Sequence, residues 1–206
     1  FKQKTAYEIP LRLVGSEMCI RDRDGLSLPD DALIAGVDEV GRGPLAGPVV
    51  ASAVVINRSL CPSSISAKID DSKRLSQKNR NIVFTLIHKI SVTGTGFADR
   101  NEIDELNILW ASMLAMERAI QELQSKLDRP IDAVLVDGNR LPNLKCPGYA
   151  IVKGDTKSVS IAAASVANVV ADATPVAYPV VCVIALSAVI FSASLKVVDE
   201  LSEPVL

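Results

Sequence analysis

"IAGVDEVGRGPLAGPVVASAVVI", Ile34 to Ile56, is two apolar runs joined by a glycine-rich turn. The first run, Leu33–Asp38, is short and aliphatic, as a strand in the middle of a sheet should be. The second, Pro48–Ile56, is rich in β-branched valine. Two features exceed what a plain strand pair needs. An acidic pair, Asp38 and Glu39, ends the first run, and Gly41, Gly43 and Gly47 surround a single arginine, Arg42.

Outward from this stretch the pattern is mixed α/β. Ser91–Ala98 is a third candidate strand. Asn101–Leu127 predicts a long amphipathic helix, because Ile103, Leu106, Trp110, Met113, Ile120, Leu123 and Leu127 step by three, four or seven. That stripe, including its tryptophan and methionine, is expected in the core, with Arg118 and Glu122 on the outer side and Pro130 ending the helix. Ile131–Asn139 is another buried strand, and it too reaches an aspartate, Asp137. Gly148–Asp155 follows, then the alanine-rich, helical Ser160–Asp172.

Composition narrows the class. The 206 residues are 49% apolar and 22% charged, enough apolar content for a sizeable core. A net charge of -2 gives no global basic surplus, so any nucleic-acid surface must be local. Cys19, Cys61, Cys146 and Cys182 are scattered without CxxC spacing, which argues against zinc or a disulfide framework and for a reducing cytosol. The one histidine, His88, suits packing or the surface.

The two ends differ from the middle. Residues 1–23 show no helical or alternating period and no signal-peptide pattern, and "YEIPLRLVGSEMCIRDR" resembles translated sequencing-adapter read-through. They are expected to be extraneous to a domain spanning 24–172. The tail, 173–206, begins with the charge-free stretch Ala173–Leu195, long enough to cross a bilayer but interrupted by Pro175 and Pro179. A span is not expected, since the middle reads as a soluble enzyme.

Two buried strands that each deliver an aspartate at the carboxyl end bring those acids toward the usual site of an open α/β sheet. Clustered carboxylates repel unless a cation neutralises them. With no histidine or cysteine cluster the ligands would all be oxygen, which selects Mg²⁺ or Mn²⁺. Alternation along a strand sends neighbours to opposite faces, so Asp38 and Glu39 share a site only if the strand ends or bulges there. The competing reading makes Glu39 a surface residue and Asp137 a turn cap. The glycine turn matches neither the phosphate-loop nor the dinucleotide pattern. It leaves backbone N–H groups and Arg42 to meet an anion. Lys68–Arg80, with Lys73, Arg74 and Lys78, is either a second polyanion contact or a solvated face.

"AGVDEVGRGPLAGPVVASAVV", "DSKRLS", "EIDELNILWASMLAM", "VDGN" and "VKGD...SIAAAS" together resemble bacterial ribonuclease HII over roughly residues 33–168. The resemblance implies a ribonuclease H-like fold, an α/β architecture with a mixed five-stranded sheet flanked by helices. It implies Mg²⁺- or Mn²⁺-dependent cleavage, with two metal ions, of RNA in RNA-DNA hybrids and at ribonucleotides embedded in duplex DNA. It assigns Asp38, Glu39 and Asp137 as metal ligands, and Gly41, Arg42, Gly43, Ser72, Lys73, Lys153 and Ser165 as substrate contacts. It further implies a cytoplasmic monomer with no obligate protein partner.

The fourth acid of the family falls to Asp172, one residue early, which on a helix turns a side chain by about 100°. Asn168 stands where the family has lysine and Ala171 where it has arginine. The family's basic, aromatic C-terminal segment has no counterpart. A frameshift near 165–168 accounts for both departures. The alternative function is then a hybrid-binding fragment with impaired catalysis.

Overall fold

The structure, a computed structural model, describes residues 22, 26, 28, 29, 31–43, 47–61, 69 and 76–172, with side chains in the last helix as far as Asn168. The chain divides between Asp172 and Ala173, and everything described lies before that division. In order come β1 (Ile34–Val40), β2 (Val49–Ile56), α1 (Gln77–Ile90), β3 (Ser91–Ala98), α2 (Arg100–Ser125), β4 (Ala133–Asp137), β5 (Gly148–Ile151) and α3 (Val159–Asp172). They build one mixed five-stranded sheet in the order β3-β2-β1-β4-β5. The β1-β2 and β2-β3 pairs are antiparallel; β1-β4 and β4-β5 are parallel. This is the expected α/β architecture.

Side-chain alternation divides the core between the two faces. Ala35, Val37, Val134 and Val136 pack with Ala115, Met116, Ala119 and Leu123 of α2. On the other face Val54 meets Val83 and Ile87 of α1 and Val159, Ala162, Ala163 and Val166 of α3. The small residues of α3 let it settle close to the sheet. At Gly36 the approach is backbone to backbone: a Cβ there would run into Ser160 and Ile161.

Helix α1 is not among the elements expected from sequence; it starts at the end of the charged stretch Lys68–Arg80 and continues beyond it. Its local signals are ordinary: Ser76 accepts from the Asn79 N–H at 3.3 Å as N-cap, and Val83, Ile87 and Ile90 bury one face. His88 packs edge-on against the Phe84 ring.

The expected stripe on α2 needs correction. Asn107 is not helical (φ 65°, ψ 163°), and its side chain caps the restart by accepting from the N–H groups of Leu109 and Trp110. This break resets the phase of the apolar stripe. Trp110 and Leu106 are exposed, and the buried face runs through Ala111, Met113, Ala115, Met116, Ala119 and Leu123. Arg118 and Glu122 are not simply solvated. Arg118 donates to the Phe97 carbonyl at 2.7 Å, the Glu122 carboxylate accepts from the Thr95 N–H, and Lys126 donates to the Thr93 carbonyl at 2.8 Å. Arg118 also forks onto Glu102, itself half of a capping box with Asp99.

Of residues 1–23 only Asp22 is described, and it is buried. Its carboxylate accepts from the hydroxyls of Ser158 (2.5 Å) and Ser160 (2.6 Å) and from the Ser160 N–H (3.3 Å) at the start of α3. Burial raises its pKa against the pull of those hydrogen bonds. Among the described residues no helix is long and apolar enough to cross a membrane, and Ala173–Leu195 lies outside them.

The contact at Gly36 gives a stability prediction. Gly36→Ala forces α3 off β1 and lowers unfolding free energy in urea by about 2–3 kcal/mol, the range for overpacking a close contact. A loss below about 1 kcal/mol would mean that α3 can shift without cost.

Candidate active site

The parallel pairing of β1 with β4 brings the two aspartates together. Val37 lies opposite Val136, so one step further along both strands Asp38 and Asp137 emerge side by side at the carboxyl ends. Alternation puts both on the α3 face, with Gly36 and Leu135.

Each is held by donors. Asp38 is buried, and its Oδ1 accepts from the Glu39 N–H at 2.8 Å. The Ser165 side chain on α3 also hydrogen-bonds its carboxylate. Asp137 Oδ1 accepts from the Gly154 N–H at 2.6 Å. Burial first, then the charges of Glu39 and Asp137, push the Asp38 pKa up to about 8, against those two hydrogen bonds. A carboxyl so perturbed at the end of a central strand marks a functional site.

Glu39 takes a different direction. β1 stays in register with β2 through Asp38–Ser52, Glu39–Ala51 and Val40–Val50, without a bulge. Glu39 therefore faces away from Asp38. Its Oε1 pairs with Arg42 at 2.9 Å, while its buried Oε2 has no partner. Among the described residues no three carboxylate, imidazole or thiol groups form a ready-made cage. The donor set nevertheless suits a hard divalent cation. It is all oxygen, two carboxylates share a face, and the unpartnered Oε2 is one residue along. No described cysteine or histidine stands beside it to favour zinc.

The glycine turn stands at the same end of the sheet. Gly41 has φ 97°, a left-handed conformation that glycine alone adopts without strain, and a Cβ there would sit 2.6 Å from the Pro48 carbonyl oxygen. Among the described residues nothing lies within 4 Å of where a Gly43 Cβ would stand. Lys153 follows β5 in a left-handed conformation (φ 57°) and is exposed at this end. The next residue, Gly154, was missed by sequence reasoning, although it is the one that holds Asp137. Its signal was its place inside "VKGD".

The structure thus gathers Asp38, Asp137 and Ser165, with Glu39, Gly41, Arg42, Gly43 and Lys153 at the same sheet end. Ser165 is buried against Asp38 rather than displayed on the surface. Ser72, Lys73 and the Asp172 side chain lie outside the described residues. Asn168 is buried with both amide atoms unpartnered.

Comparison with known proteins places the chain among relatives of one family. The family model described as Ribonuclease HII matches residues 35–176. The chain is 55% identical over 135 residues to a ribonuclease HII of Rhodospirillum rubrum, covering 65% of this chain and 60% of that one. It is 54% identical over 134 residues to one of Magnetococcus marinus, again covering 65% and 60%. It therefore spans about three fifths of the length of these relatives. Among solved structures it resembles the ribonuclease H2 of Pyrococcus horikoshii, with TM-score 0.53, 28% identity, and 66% of this chain and 70% of that chain covered.

The raised Asp38 pKa sets a pH dependence. In metal-free protein the folded state keeps this proton up to about pH 8, whereas the unfolded chain releases it near 3.8. The folded state therefore binds more protons across that window, and stability falls as pH rises through it. Each unit is worth up to about 1.4 kcal/mol. Asp38→Asn removes the dependence, so it melts above the unchanged protein at pH 8 in EDTA, and this advantage shrinks toward pH 5. Parallel melting curves at both pH values for the two proteins would contradict the electrostatic reading.

Proposed function

Because the chain belongs to the ribonuclease HII family, we propose that it is an endonuclease that hydrolyses RNA in RNA-DNA hybrids and nicks duplex DNA at embedded ribonucleotides. The observation that carries this reading is the side-by-side placement of Asp38 and Asp137 at the ends of β1 and β4. It is a pair of carboxyl groups, one of them buried, that repel when both are ionised and that a divalent cation would neutralise.

Asp38 and Asp137 would hold Mg²⁺ or Mn²⁺, with Glu39 joining once the end of β1 turns its carboxylate from Arg42 toward them and Asp172 serving as a fourth acid. Two such ions, when bound, supply Lewis acidity and an activated water for in-line phosphodiester hydrolysis. The products are a 5′-phosphate and a 3′-hydroxyl. The protein's own part is positioning. Gly154 and Ser165 fix the two aspartates. The N–H groups of the Gly41-Arg42-Gly43 turn approach the sugar-phosphate backbone, where the 2′-hydroxyl distinguishes RNA from DNA. Arg42, Lys153, Ser72 and Lys73 meet phosphates and give a salt-dependent share of the affinity. The working form is a cytoplasmic monomer.

Asn168 supports a second reading. A buried amide with no partner stands where the resemblance implies a lysine, and the family match ends at residue 176. In that case the chain binds hybrids and cuts poorly.

Duplex DNA carrying one ribonucleotide decides between the two. Asp38→Asn should lower Mg²⁺-dependent nicking by more than ~100-fold, the upper range for residues that merely support a ligand, while leaving the fold intact. Normal turnover by that variant would overturn the metal assignment. The unaltered chain should nick slowly, and replacing residues 166–206 with a ribonuclease HII C-terminal segment should restore cleavage at matched Mg²⁺ and salt. Equal, robust nicking by both would dismiss the impaired-fragment reading.

A further inference from the structure

We propose that Asp22 is a positioning residue for the carboxylate site, clamping the first turn of α3 so that Ser165 and Gly154 are held against Asp38 and Asp137. The proposal rests on the metal-binding reading above. Asp22 lies outside the sheet and within the segment whose sequence resembles adapter read-through.

The first turn of α3 is where several constraints meet. Ser160 and Ile161 abut the backbone of β1 at Gly36, two residues before Asp38. The Ile161 side chain packs with Ile34, Leu135 and Ile151, and its Cδ1 lies 2.5 Å from where a Gly154 Cβ would stand. Gly154 donates the hydrogen bond that holds Asp137. Further along the same helix, Ser165 bonds Asp38. A displacement of this turn therefore moves the supports of both aspartates together.

Asp22 is the residue that fixes the turn. Its two oxygens divide between two serines, Oδ1 to Ser158 and Oδ2 to Ser160. Capping alone does not need it, because Ser158 Oγ already accepts from the Ile161 N–H at 3.1 Å. Burying a carboxylate is costly unless its hydrogen bonds are made. Here the return for that cost is orientation, since the Ser158 hydroxyl that caps the helix is itself aimed by Asp22.

The test is Mn²⁺ binding by calorimetry, without nucleic acid, on the full chain at a temperature where circular dichroism shows every variant folded. Asp22→Ala should weaken Mn²⁺ by about 3- to 10-fold, less than the 10- to 100-fold typical of residues bonded directly to a ligand. Ser160→Ala should weaken it less, and the double variant no more than Asp22→Ala alone, since the two share one interaction. Asp22→Asn, which keeps an acceptor, should recover part of the loss. Ile120→Ala, in α2 on the far face, should lower the melting temperature with Mn²⁺ affinity unchanged. If Asp22→Ala does not fold, Ser160→Ala decides. Affinity within twofold of the unchanged chain for the folded Asp22 and Ser160 variants overturns the positioning role. No Mn²⁺ binding by the unchanged chain overturns the metal reading itself, and the positioning role with it.

Discussion

Two carboxyl groups held next to each other at the ends of parallel strands, where they cannot both ionise without repelling, are the constraint that the rest of this fold answers. The β1-β4 register leaves Asp38 and Asp137 no freedom to separate without breaking backbone hydrogen bonds. The surrounding residues offer donors instead: the Glu39 and Gly154 N–H groups and the Ser165 hydroxyl. The first is local to β1, whereas Gly154 and Ser165 come from other parts of the chain and depend on a close backbone approach. The alanine-rich α3 and Gly36 make that approach possible. Packing against α2 makes the sheet rigid enough to keep it.

Much of this was legible in the sequence, because the strands carry their own signatures. Aliphatic runs ending in aspartate located β1 and β4, and valine density located β2. What was not legible depends on tertiary geometry. The phase of α2 changes at Asn107, whose backbone conformation no periodicity reports, and so Trp110 moved from expected core to surface. Helix α1 begins inside a charge run, and only its later residues Val83, Ile87 and Ile90 carry an apolar face. Alternation sets Glu39 apart from Asp38, and the β1-β2 register continues unbroken past both residues.

Motif reasoning and geometry also assign the same residues different tasks. "AAAS" and "VKGD" drew attention to Ser165 and Lys153 as substrate contacts. In the fold, Ser165 turns inward to a carboxylate, and the glycine beside Lys153 supports the other. Arg42 is paired with Glu39, so the glycine turn and the acidic residues are in electrostatic contact. Short motifs locate a site well. They do not say which member of the motif faces the ligand and which holds its neighbour, because that depends on the elements packed around it.

The row Arg118, Glu122 and Lys126 has a further consequence at the other side of the sheet. β3 is an edge strand, and an edge strand offers free N–H and C=O groups to any passing chain. Along β3 these three side chains engage the Phe97 carbonyl, the Thr95 N–H and the Thr93 carbonyl in turn. The match is one of lengths. Four residues of helix advance about 6 Å and two residues of strand about 6.7 Å, so one helical row keeps pace with alternate strand residues. The acceptor-donor-acceptor order of the strand is met by cation, carboxylate, cation. α2 thus occupies one backbone group on each of three alternate edge residues with a charged side chain, which blunts this edge as a template for a further strand.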